Sequence, residues 1–165
     1  LMIEREKYLK RAKTWNIVLM LLTAFTILMN AAALSSTLNP QRSAYDTFEK
    51  AGMDADKMFQ HANTLPVKVM FILGLALSVC LVVSYFLAHK KMAADEIPTK
   101  WPYLVLIGWQ VIDMLFNIVY DPTGVNLTTS RGMLSLVMMY AIACVVPVVV
   151  YYNLFHAEKS TEQLS

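Results

Sequence analysis

Cysteine, glycine and charge are all scarce in this chain, and each shortage removes a class of protein. The two cysteines, Cys80 and Cys144, stand far apart, each inside an apolar run. A quinone-linked thiol oxidase needs paired, water-accessible cysteines, so that chemistry is excluded and both thiols read as small packing residues. The five glycines form no phosphate-binding loop, and neither a nucleophile elbow nor a paired-histidine zinc motif is present. His61, His89 and His156 fall in loops or at the ends of apolar runs and share no helix face, so no metal, haem or other cofactor is implied. Charged residues are 16% of the 165, against about 25% in soluble domains. No basic cluster interleaved with aromatics lies away from the apolar runs, which argues against nucleic acid as a partner.

What is present is apolar: 57% of residues are hydrophobic and the mean hydropathy is +0.48. The length suits one domain, 1–165, with no room for a membrane unit plus a separate catalytic one. Four segments, 14–34, 66–88, 101–120 and 132–155, meet the requirement of about 20 apolar residues for a transmembrane helix. Trp15, Trp101, Tyr103, Tyr120, Tyr151 and Tyr152 fall near their ends, where aromatic rings favour the headgroup level. The expected fold is an all-α integral membrane protein, an antiparallel bundle of four transmembrane helices. The short connections 89–100 and 121–131 make the second, third and fourth spans neighbours. Nine Lys and Arg residues flank the ends that share the termini, against five on the other side, which places both termini in the cytoplasm and the protein in the plasma membrane. The basic start, the apolar run 17–29 and Ala31-Ala32-Ala33 also carry the grammar of a cleavable signal peptide, a rival to the first span.

The extracytoplasmic segment 35–65 is too long for a plain connection. Asn39 before Pro40 predicts an N-cap and first-turn proline, and Gly52 a stop. Asp54 predicts a second cap, giving two short amphipathic helices on the membrane surface or over the bundle mouth. Asp121-Pro122-Thr123-Gly124 predicts a β-turn, and Asn126-Leu127-Thr128 matches a glycosylation sequon.

One charge stands inside an apolar span. Asp113 costs roughly 2.5–3.5 kcal/mol at a helix centre on insertion scales, so something must offset it. Gln110 and Asn117 share its helix face. At 1.5 Å per residue Asp113 lies about 18 Å from the cytoplasmic end of its span, and Asn30 and Tyr140 fall at similar depth. Lys68 and Arg131 have side chains long enough to lean toward it. In the first span Asn16, Thr23 and Asn30 recur at sevens, the spacing of a helix–helix seam. Gly74 and Ser78 allow close approach in the second span, and Pro147 frees the Ala143 carbonyl in the fourth.

Three functions follow from this stripe. The first is a non-enzymatic module that binds a membrane-protein partner or a lipid-like or hydrophobic small ligand through Asp113, Gln110, Asn117, Asn30, Lys68, Arg131 and Tyr140. The second is an oligomeric small-solute or proton-coupled transporter or channel protomer, since four spans without internal repeats are few for a monomeric carrier. The third is an intramembrane enzyme with Asp113 as general acid or base, which one carboxylate without a nucleophile, second acid or metal supports thinly.

Overall fold

The computed structural model describes residues 2–121 and 130–162, with side chains for 3–121 and 132–161. Every regular element in these residues is helical. Four helices are long and apolar enough to cross a membrane: α1 (Met2–Leu38), α4 (Leu65–Ala93), α5 (Trp101–Val119) and α6 (Ser130–Glu162). A 3-10 turn at Arg42–Tyr45 and two short helices, α2 (Asp46–Lys50) and α3 (Ala55–Ala62), join α1 to α4. The turn expected at 121–124 and the sequon at 126–128 lie outside the described residues.

The helices overrun the apolar segments. α1 begins at Met2, twelve residues before the apolar run, because Glu4, Arg5, Glu6, Lys7, Lys10 and Arg11 are strong helix formers that hydropathy does not register. At 1.5 Å per residue α1, α4 and α6 span about 55, 43 and 50 Å, while α5 spans only about 28 Å, close to the hydrocarbon thickness. Pro66 and Pro102 stand in the first turns of α4 and α5, where the missing N–H is no loss.

In the connecting segment, Asn39 and Pro40 open no helix. Gln41 precedes the 3-10 turn and makes no side-chain cap. α2 closes as a Schellman motif: Met53 N–H donates to Phe48 O and Gly52 N–H to Glu49 O, each at 3.0 Å, with Gly52 at φ +80°. Asp54 caps α3, its Oδ1 accepting from Lys57 N–H at 3.0 Å. Arg42 ties the turn to both short helices, bonding Asp46 at 2.7 Å, Glu49 at 3.2 Å and Asp56 at 2.5 Å. Those carboxylates raise the Arg42 pKa further above its ordinary value, led by the bonds to Asp56 and Glu49.

α1 is the hub. It packs along both α4 and α6, α5 packs on α6, and α4 meets α5 over a short stretch only. The α1 residues that are buried, Leu9, Ala12, Asn16, Leu19 and Thr23, step by threes and fours along one stripe. The core gathers toward the end that carries the termini: Leu9, Ala12, Tyr85, Ala88, Met92, Tyr103, Val150 and Leu154 form one buried cluster. Toward the far end the four long helices line a cavity, with α5 and α6 still joined through Tyr140.

Candidate functional site

Two polar layers cross the molecule, one at each end of this gradient. In the packed end Asn16 joins three helices. Its Nδ2 donates to the Tyr85 carbonyl at 2.9 Å, and its Oδ1 accepts from the Tyr103 hydroxyl at 2.7 Å. The rings of Tyr85 and Tyr103 stack with centroids 5.5 Å apart, and all three residues are fully buried. Arg5 Nε, Tyr85 Oη and His89 Nδ1 are buried without a hydrogen-bond partner among the described residues.

At the far end lies a cavity of about 640 Å³, walled by all four long helices. The sequence pattern of α5 builds its polar side: Gln110, Asp113 and Asn117 project from one face into it. Asn30 faces them from α1. Tyr140, on α6 and 8% exposed, donates its hydroxyl to Asp113 Oδ2 at 2.5 Å. Asn117 Nδ2 donates to Tyr140 Oη at 2.9 Å and to the Asp113 carbonyl at 2.8 Å. Asp113, Asn117 and Tyr140 therefore form one hydrogen-bonded triad bridging α5 and α6.

Of the sequence-derived residues, the structure brings Asp113, Asn117 and Tyr140 into contact and sets Asn30 and Gln110 on the same cavity wall. Lys68 stands apart from it. Its Nζ donates to Asn63 Oδ1 at 2.6 Å, at the junction of α3 and α4, and no ion pair reaches Asp113 among the described residues. The reason is local, since Asn63 is only one and a half turns away while Asp113 is across the helices. The side chain of Arg131 lies outside the described residues.

Two wall residues, Trp109 and Phe116, were not singled out by spacing. Trp109 packs against Gly74, where a Cβ would lie 3.2 Å from the indole Cζ2, giving α4 and α5 a second contact beside the Tyr85–Tyr103 stack. Thr26 and Phe116 line the cavity too, as does Ala143, whose carbonyl loses its helical donor to Pro147. Trp109 is one turn from Asp113 on the same face, a position that helical phase alone identifies.

Outside the long helices, His61 of α3 stands beside Tyr120 at the end of α5, ring centroids 6.1 Å apart. Burial holds its pKa below the ordinary histidine value, with Asp121 pulling the other way.

Fold and site together define a helical protein with four helices, among the described residues, able to cross a membrane and a mostly apolar cavity between them that holds one carboxyl-centred polar cluster. Comparison with protein-family models, curated proteins and solved structures gave no match.

Proposed function

We propose that this chain is a non-catalytic membrane protein that holds a lipid-like or other hydrophobic small ligand in the cavity beside Asp113. The reading takes the helices as an antiparallel four-span bundle with the two short amphipathic helices at its outer mouth. One observation carries it: a cavity of about 640 Å³ with mostly apolar walls and a few convergent polar groups is the form small-molecule sites take. The orientation, termini in the cytoplasm of the plasma membrane, draws on the basic residues at the packed end. There Lys90 lies 4.9 Å from the Phe86 ring centroid and Lys159 4.8 Å from that of Phe155, tying cations to the aromatic belt. Exposed apolar side chains such as Leu28, Val119 and Val145 suit lipid contact around the outside.

Filling the cavity tests the reading. Val146 lines it from α6, and Val146→Trp adds bulk there. Wild-type protein purified in its native membrane patch should carry a small hydrophobic molecule enriched over bulk lipid by mass spectrometry, and the variant should lose that enrichment while remaining folded. Equal recovery from both would sink the proposal.

A second reading, an oligomeric carrier using Asp113, draws on a carboxyl that lines a cavity among four membrane-length helices, since ionisable groups at membrane depth mark solute and proton paths. A monomer in native-like lipid counts against it.

A further inference from the structure

The polar groups of the cavity wall are unevenly committed. Among the described residues three hydroxyls line it, and each commits its proton to its own helix: Thr23 to Leu19 O at 2.8 Å, Thr26 to Leu22 O at 3.0 Å, and Ser78 to Gly74 O at 2.8 Å. The Tyr140 proton is committed to Asp113, and Asn117 Nδ2 to Tyr140 and the Asp113 carbonyl. What these groups still offer a ligand is lone pairs, on the hydroxyl oxygens, Asn117 Oδ1 and the Asp113 carboxyl, while the N–H donors left on the wall are neutral ones, the Asn30 and Gln110 amides and the Trp109 indole. The carbonyl freed by Pro147 belongs to a wall residue as well. No Lys, Arg or His is among the described residues of the wall, whereas Asp113 is. Trp109 and Phe116 flank Asp113 on its face of α5, and aromatic faces attract cations.

Resting on the ligand-holding reading above, we infer that the cavity selects a singly cationic amphiphile, an amine head on an apolar body. The head bonds Asp113 between Trp109 and Phe116. The body lies against Leu19, Leu77, Leu106 and Val146. A carboxylate-headed or phosphate-headed lipid would set an anion beside the Asp113 carboxyl with no basic side chain among the described wall residues to offset it, and is disfavoured. The cavity volume fits a single-chain or drug-sized molecule and excludes the bulk of a two-chain phospholipid.

Three probes of equal chain length separate the possibilities: dodecylammonium, dodecanol and dodecanoate, each radiolabelled and titrated into phosphatidylcholine nanodiscs, with empty discs correcting for partition. The wild type should bind dodecylammonium saturably and at least about tenfold more tightly than dodecanol, as a charge-assisted bond implies, with dodecanoate weakest. Asp113→Asn should bring dodecylammonium to the level of dodecanol, Asp113→Glu should keep a cation preference, and Val146→Trp should lose all three. Saturable, Val146→Trp-sensitive binding with no preference for the cation, or a preference that survives Asp113→Asn, would overturn the ligand class and leave the ligand-holding reading standing. No saturable binding of any probe to the wild type would overturn both. If Asp113→Asn fails to fold, the wild-type ranking of the three probes decides.

Discussion

Asn16 shows what a single amide does when helices meet around it. Its donor and acceptor are both used, on Tyr85 of α4 and Tyr103 of α5, so neither is left in an apolar setting. Tyr103→Phe strands Asn16 Oδ1 in a fully buried site and should lower the unfolding free energy by about 1–2 kcal/mol, between the modest average of intramembrane hydrogen bonds and the cost of an orphaned acceptor. Tyr85→Phe removes a buried hydroxyl that has no partner among the described residues, and should leave stability unchanged or raise it by up to about 1 kcal/mol. Reversible unfolding in mixed micelles ranks the two. The reverse order would contradict this account of the layer. The layer was partly legible, because Asn16, Tyr103 and Tyr85 all lie a few residues inside their spans at the same end. Matching depths across spans, which leads from Asp113 to Asn30 and Tyr140, finds this trio when applied at the other end as well. It does not fix partners: Lys68 has the reach for Asp113 and bonds Asn63 instead, because a nearby acceptor wins over a distant one.

Among the elements, the short helices between α1 and α4 respond to pH through one residue. His61 joins α3 to Tyr120, and burial favours its neutral form in the folded state. With the folded pKa below the unfolded value of about 6.5, the unfolded segment binds more protons as pH falls through that value, so α3 docking is full above it and weakens below. Asp121 opposes the shift and limits its size. Amide hydrogen exchange in α3 should therefore quicken at pH 5.5 relative to pH 7.5 beyond the intrinsic rate change, and His61→Gln should remove the excess; an unaltered pH response in that variant would assign it elsewhere. The punctuation of this segment was readable where a residue type is nearly obligatory, as with Gly52 at positive φ and Asp54 at a cap. Asn39 and Pro40 carry the same kind of signal without a helix following, since α1 continues to Leu38 and its exit takes up both residues. The long helices were legible where the signal is hydropathy and not where charged residues extend them, as at the start of α1.

Across the whole molecule a buried cluster at one end gives way to a cavity at the other, and connection lengths could not have disclosed that. Short loops imply that α4, α5 and α6 follow one another around the group, yet α1 holds α4 and α6 while α4 and α5 touch at few points, Tyr85 on Tyr103 and Trp109 on Gly74. A loop limits how far two helices can part; side-chain volume decides whether they touch. At the packed end small and medium residues such as Ala12, Ala88, Val150 and Ala157 let the backbones close, and at the far end the same helices surround about 640 Å³ of space. This difference has a direct kinetic expression. With Cys80 and Cys144 replaced by alanine, a cysteine at Gln110 on the cavity wall should react with a small water-soluble maleimide at least about tenfold faster than one at Val150, which is fully buried and reacts only through local opening. Dodecylammonium should slow the first and leave the second unchanged, because only the first faces the space the ligand fills. Equal rates at the two positions would mean that the far end closes in the membrane as tightly as the end that carries the termini, and the cavity would then have no standing as a site.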